Sequence, residues 1–414
     1  MVEAGDEVEI RKGKRIYRGI VMPHHIFSDK NIIVIKLPSG YNMGVDKREC
    51  EIKVIRKRKE TEKKTKPIEF DRKKPTIAII GTGGTIASYV DYKSGAVHPA
   101  ATSEELAYSI PEIFEICNVE ADMLFQKFSE NITPSDWQRM ARRAKKHLDE
   151  GKPVIIAHGT DTMAYSSAAL SFMFRKLPSS IIFVGSQRSS DRPSSDAFHN
   201  MMAAARVATT DMAEVVVTMH GDISSKRILI HRGTKVRKMH SSRRDAFLSI
   251  NAQPLGYVDG NKVVFEKSYR KGEEEEAVLK TKLEKNVAML YYYPGMSKED
   301  FERIVEGKKG VVIAGTGLGH VNEKLVGEIR KLTRDGIPVV MTTQCLWGSV
   351  NLNVYSTGRK LTRAGVIPGR DMLPEVAWIK LMWVLANESN VEEAMVRNIA
   401  GEISERRAIK DFVV

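Results

Sequence analysis

Two stretches of this chain share one plan, and together they restrict the fold more than any other feature. "TIAIIGTGGTIASYV" (76–90) leads from apolar, β-branched residues into a turn with three glycines, then resumes with small residues suited to a helix start. "VIIAHGTDTMAYSSAAL" (154–170) leads from an apolar strand to Gly159, then Thr160, Asp161 and Thr162, then a helix. Strand, glycine turn and helix in succession build an open α/β sheet, whose adjacent strand ends deliver their loops into one crevice at the carboxyl edge. Two threonines and a carboxylate are therefore expected to converge.

The same alternation continues along the chain. "VEADMLF", "SIIFVG" and "EVVVTMHG" are short apolar runs of the kind found in buried parallel strands. "TPSDWQRMARRAKKHLDEG" predicts a helix that starts at Thr133 with Asp136 three residues on, sets Trp137, Met140 and Ala144 on one face, and stops at Gly151. "DAFHNMMAAARVATT" predicts another. A second unit follows, with strands in "VAMLYYYPGM", "GVVIAGTGLGHV" and "IPVVMTTQC" and helices in "EKLVGEIRKLTRDG" and "LPEVAWIKLMWVLANE"; in the last, Val376, Ile379 and Val384 are expected near one apolar face.

At 414 residues the chain is too long for one hydrophobic core. "IRKRKETEKKTK" (55–66) holds seven basic residues against two acidic ones without apolar periodicity, which marks a linker. Before it, polar residues alternate with β-branched ones and break at Gly and Pro, as in four or five short strands. The expected fold class is α/β: a small N-terminal, SH3-like β-barrel over 1–55, a basic linker over 56–73, an α/β domain over 74–267, a charged linker over 268–286, and a second α/β domain over 287–414, with mainly parallel sheets.

Cys50, Cys117 and Cys345 are too few and too far apart for a disulfide framework or a zinc site. No apolar run approaches membrane-spanning length, and "MVEAGDEVEI" has no apolar signal core, so a cytoplasmic protein with no membrane partner is expected. The formal charge of +13 suits a polyanion partner, or equally a lysine-rich surface.

The glycine turn departs from the nucleotide-binding patterns. Gly81-Thr82-Gly83-Gly84-Thr85-Ile86 has isoleucine where a dinucleotide fingerprint needs its third glycine, and no lysine follows as in a phosphate-binding loop. It offers instead two hydroxyls, Thr82 and Thr85, on a backbone that can approach a ligand closely. Such hydroxyls also serve simply as caps. A threonine nucleophile needs a group to take its proton, and a desolvated lysine can do so. "HRGTKVRKMHSSRRDAF" supplies Lys235 and Lys238, though lysines in so basic a run also serve as surface charges.

These stretches together resemble the L-asparaginase/glutaminase family, whose two signatures are TGGTIA and HGTDTM; the likeness runs from about Lys74 to the C-terminus. It implies that both α/β domains are asparaginase-like and that Thr85 is the nucleophile. It implies further that Thr160 is a second hydroxyl paired with a lysine and that Asp161 holds the substrate's α-ammonium. The lysine would be Lys238, which fits before "MHSSRRDAF" better than Lys235 does. In "FQKFSENITPSDW", Ser129 and Glu130 match the residues that grip the substrate's α-carboxylate and α-ammonium, although a serine there also caps turns. The family's mobile-loop tyrosine would be Tyr92, with Tyr89 as the alternative. Family members build each site between two subunits, which implies a homodimer.

The N-terminal extension resembles that of the archaeal glutamyl-tRNA(Gln) amidotransferases. That likeness implies that the chain hydrolyses glutamine and passes ammonia to a partner, the E subunit of the amidotransferase, which would use ATP and Mg²⁺ to activate Glu-tRNA(Gln). No cofactor is expected in this chain. A free-standing asparaginase with an accessory barrel and a non-catalytic RNA-binding adaptor are the alternatives.

Overall fold

Alternation of apolar and charged residues folds the first strands over a core of their own. The structure, a computed structural model, describes residues 2–22, 29, 31–37, 42–57, 70–83, 89–90, 97–98, 111–188, 195–223, 227–272 and 276–406. Strands β1 (Glu7–Lys12), β2 (Arg15–Val21), β3 (Ile32–Lys36), β4 (Asn42–Asp46) and β5 (Glu51–Arg56) form an antiparallel sheet in the order β4-β3-β2-β1-β5. Val8, Ile10, Val21, Ile33, Ile35 and Val45 point to one face and bury one another, while the residues that alternate with them in β1 and β3, Glu9 and Val34 among them, are only half-buried.

The second unit is an eight-stranded sheet whose middle strands are apolar on both faces. It comprises β6 (Thr76–Gly81), β9 (Asn118–Met123), β10 (Val154–Ala157), β12 (Ile181–Val184), β13 (Val215–His220), β14 (Arg227–Arg232), β17 (Gly256–Asp259) and β18 (Lys262–Phe265). Their order is β18-β17-β14-β13-β12-β10-β6-β9. Short pairs stand outside it: β7 (Tyr89–Val90) with β8 (Val97–His98), β11 (Phe174–Lys176) with β19 (Val278–Leu279), and β15 (Val236–Lys238) with β16 (Phe247–Ser249).

From β9 to β13 neighbouring strands run parallel, as buried apolar runs joined by helices predict. The pairs β13-β14, β14-β17 and β17-β18 are antiparallel, an extension that the strand-helix alternation did not announce. On one face Ala78, Ile80, Val154, Ile156 and Phe183 join the core shared with helices α1 (Pro134–Asp149) and α2 (Met163–Met173). On the other, Ile77, Ile79, Ile155 and Ile182 pack on α3 (Ala197–Ala208). Helix α1 begins where expected: Asp136 accepts hydrogen bonds from the Thr133 N–H and hydroxyl. Gly151, with φ +74°, ends the turn that follows it.

The third unit is a parallel sheet of β20 (Val287–Tyr291), β21 (Gly310–Gly315), β22 (Val339–Thr343) and β23 (Ile367–Pro368). Helices α4 (Lys298–Val305), α5 (Val326–Arg334) and α6 (Ser356–Arg363) accompany it. Helix α7 (Pro374–Asn387) buries Val376, Ile379 and Val384 as expected, but its burial runs from Pro374 to Val384 except at Trp378, nearly all round rather than on one face. The helix packs between its own sheet and α2, which leaves it no solvent face there. Its Lys380 is buried because Glu402 lies 2.6 Å away, near the last short helix, α8 (Val391–Val396).

The charged stretch 268–286 is strapped to both units. Ala277 is buried, Leu279 and Leu283 pack against the shared core, and the Glu284 N–H donates to Met382 O. Among the described residues no helix is long and apolar enough to cross a membrane.

Candidate active site

The carboxyl ends of β6 and β10, adjacent parallel strands, bring the two glycine turns together. Thr82 continues β6 and is held by β10: its N–H and hydroxyl both donate to Ala157 O. Gly83 has φ +104°, and a Cβ there would stand 2.3 Å from Lys127 O. Only glycine lets the chain turn this close to the segment that leads to Ser129. Thr85 and Tyr92 lie outside the described residues.

The turn after β10 packs just as closely. A Cβ on Gly159 would meet Ser129 Cβ at 2.7 Å and Ser129 Oγ at 2.9 Å. The Thr162 hydroxyl donates to Ser129 O at 2.7 Å, so backbone and side chain both tie the two segments. Ser129 is buried and Glu130, next in the chain, is exposed. The structure thus brings Ser129 against the HGTDT turn and sets Glu130 toward solvent beside it.

Lys238 reaches the same turn from the end of β15. Its Nζ lies 2.9 Å from Thr160 Oγ1 and 2.8 Å from Asp161 Oδ1. The ammonium is largely withdrawn from water, with its side chain 13% exposed, whereas the Asp161 side chain is 66% exposed. The strand end is fixed by the β15-β16 hairpin, in which Lys238 faces the buried Phe247 and the Met239 N–H donates to Ala246 O. Lys235, three residues earlier, points elsewhere: its Nζ pairs with the buried Asp371 at 2.7 Å, and burial pushes it below the usual lysine range against the pull of Asp371.

A buried relay supports the HGTDT turn, and nothing in the local sequence pattern had singled it out. His158 Nδ1–H donates to Gly159 O at 2.7 Å, Ser166 Oγ–H donates to His158 Nε2 at 2.9 Å, and Trp137 Nε1–H donates to Ser166 Oγ at 3.0 Å. Desolvation drives the His158 pKa down to about 4, although the bond to Gly159 O opposes it, so the ring is neutral and its tautomer is set by its partners. A signal does lie in "AYSSAAL", where a serine on an otherwise apolar helix marks a buried polar contact. A second buried carboxylate, Asp196 at the start of α3, accepts the N–H groups of Gln187 and Arg188.

The described part of the site therefore holds one amine between a hydroxyl and a carboxylate, next to a serine, at the mouth of two glycine turns. Such a set has the charges to pair with a small zwitterion and a hydroxyl within proton-transfer distance of an amine.

Comparison with known proteins agrees with this chemistry. The families described as "Asparaginase, N-terminal", "Glutaminase/Asparaginase C-terminal domain" and "GatD N-terminal domain" match residues 76–271, 286–396 and 2–55. Among solved structures, the thermostable L-asparaginase from Thermococcus kodakarensis is similar with a TM-score of 0.72 and 33% identity, over 80% of this chain and 100% of that one. L-asparaginase I from Vibrio cholerae gives 0.69 and 29%, over 80% and 99%. The D subunit of the glutamyl-tRNA(Gln) amidotransferase of Pyrococcus furiosus is 50% identical over 427 residues, spanning 100% of this chain and 98% of that protein. Its counterpart in Saccharolobus islandicus is 49% identical over 424 residues, spanning 99% and 95%. With an asparaginase core, its lysine-hydroxyl-carboxylate cluster and a matching N-terminal unit, the chain belongs to the family of glutamyl-tRNA(Gln) amidotransferase D subunits.

Proposed function

We propose that this chain is the glutaminase component of a tRNA-dependent amidotransferase, hydrolysing glutamine to supply ammonia for converting Glu-tRNA(Gln) to Gln-tRNA(Gln). The observation that carries this over a free-standing asparaginase is that the kinship spans the N-terminal unit as well as the asparaginase core.

In the reaction, the Thr85 hydroxyl attacks the side-chain amide carbon of glutamine, and backbone N–H groups of the glycine turn stabilise the oxyanion. Ammonia leaves, and water then releases glutamate from the acyl-enzyme. Asp161 and Glu130 receive the α-ammonium, Ser129 the α-carboxylate, and Tyr92 polarises the nucleophile.

The Lys238 bridge suits a substrate-triggered step. In the free protein Asp161 is the counter-ion of Lys238. An arriving α-ammonium competes for that carboxylate; the Lys238 ammonium, deprived of its counter-ion, gives a proton to solvent, and the neutral amine then accepts one through Thr160.

ATP and Mg²⁺ belong to the E subunit in this reading, and tRNA(Gln) is engaged through the complex in the cytoplasm. The active unit is a homodimer through the asparaginase-like domains. The test is ammonia release from glutamine by the chain alone, with the E subunit, and with the E subunit plus Glu-tRNA(Gln). Full activity of the isolated chain, unchanged by either addition, would favour a free-standing amidohydrolase.

A further inference from the structure

A second cluster of chemical groups lies at the outer edge of the eight-stranded sheet, apart from the glycine turns. Glu120 stands on β9, the edge strand. His147 lies in the last turn of α1, and Glu150 caps that helix three residues later, on the same face. One ligand atom from each of the three lies within 4.8 Å of the others.

His147 is the informative member. Its side chain is only 2% exposed, its Nε2 lies 2.9 Å from Asp122 Oδ2, and its Nδ1 is buried with no hydrogen-bond partner. Asp122 also accepts from Arg143, so its two oxygens serve as acceptors for Arg143 and for the His147 ring. Nε2 therefore carries the proton and donates it, which leaves Nδ1 as a bare lone pair facing Glu120 Oε1 at 3.4 Å. Two acceptors face each other with no hydrogen between them, an arrangement that costs free energy unless a cation stands beside them.

The spacing of His147 and Glu120 fits such a cation. Ligands ~2.0–2.1 Å from a tetrahedral zinc ion are about 3.4 Å apart, the distance found between Nδ1 and Oε1. A histidine that donates its other N–H to a carboxylate is the usual arrangement around a bound metal, because the carboxylate fixes the tautomer and raises ligand basicity. The end of α1 adds the negative pole of its backbone dipole. A cation already stands between the carboxylates: Lys152 Nζ lies 2.5 Å from Glu120 Oε2 and 2.7 Å from Glu150 Oε2. Its long stem allows the ammonium to leave for solvent.

We propose that Glu120, His147 and Glu150 form a divalent-cation site of the zinc class, with Asp122 orienting the histidine and Lys152 holding the cation's place when no metal is bound. The ion clips the edge strand to the end of α1, far along the sheet from the antiparallel strands.

The test is titration of the metal-stripped full chain with Zn²⁺ against a chromophoric chelator, with the thermal midpoint followed in parallel. One equivalent binds and the midpoint rises. Glu150→Gln, at an exposed position that leaves the fold intact, weakens the site about tenfold or more, His147→Gln does the same, and Lys152→Met tightens it. Absence of stoichiometric binding by the unsubstituted chain would overturn the proposal. So would Zn²⁺ affinity in Glu150→Gln equal to that of the unsubstituted chain.

Discussion

Lys238 Nζ sits 2.9 Å from Thr160 Oγ1, although 78 residues separate them in the chain. The pair joins the end of a hairpin strand to the turn after a parallel strand, and only a folded sheet holds it. Lys238→Ala removes the proposed proton acceptor and should lower kcat by about 10²-fold or more. Lys235→Ala instead removes one partner of a buried ion pair and should cost about 3–5 kcal/mol of stability. Ammonia release and chemical denaturation of both variants test this; a Lys235→Ala variant that is stable yet inactive would reverse the assignment.

Thr85→Val deletes the expected nucleophilic hydroxyl at nearly constant volume. Amide hydrolysis should disappear while the thermal midpoint stays unchanged. Near-normal glutaminase activity in this variant would remove Thr85 from the mechanism.

Gly159→Ala places a methyl group 2.7 Å from Ser129 Cβ, so the HGTDT turn and the Ser129 segment must separate. Displacement on the scale of an ångström at a catalytic site costs about 10²-fold in rate. A raised KM for glutamine and a lowered kcat should appear together. A variant with wild-type kinetics would show that the close approach does not position the substrate.

Acid should destabilise the protein through its buried histidines. His158 is held down to about 4 from its ordinary 6.5, so between those pH values the unfolded chain binds a proton that the folded chain refuses. Stability from this ring is complete above pH 6.5 and is lost as the pH falls toward 4, by roughly 3 kcal/mol in all. His231, driven down to about 3 by burial, acts in the same direction. Urea midpoints at pH 7 and pH 5 measure the effect. His158→Gln should flatten the dependence, and a slope unchanged by that substitution would assign it to other groups.

Coupling separates the two amidohydrolase readings. Ammonia is largely protonated in water at neutral pH, so an enzyme that uses it gains by releasing it only toward an acceptor. Glutaminase turnover should be low alone and rise with the E subunit and Glu-tRNA(Gln), by a coupling of ~1–3 kcal/mol. Deleting residues 1–66 should weaken that response more than basal hydrolysis. Equal loss of both would make the N-terminal unit a support for the core rather than a device for coupling.

Much of this protein was written locally. Apolar runs that end in glycine announced the parallel strands because a strand buried on both faces admits little else, and the start of α1 followed from Thr133 and Asp136 alone. The TGGT turn, the HGTDT turn and the stretch before "DAF" were likewise visible as strings. The antiparallel strands of 227–265 were not, because they alternate no helices and their register depends on which edge of the sheet is free to receive them. Nor did local pattern show that α7 is buried nearly all round, since its burial comes from α2, far away in the chain.

The sequence by itself determined which side chains were available for chemistry and on which turns they sit. Between two lysines three residues apart the family resemblance had pointed to Lys238, and tertiary structure supplied the physical ground: Lys238 faces Thr160 and Asp161, while Lys235 is committed to Asp371. Lys235 precedes β15 and is buried against Asp371, which makes it a structural charge, while Lys238 at the end of that strand meets the HGTDT turn.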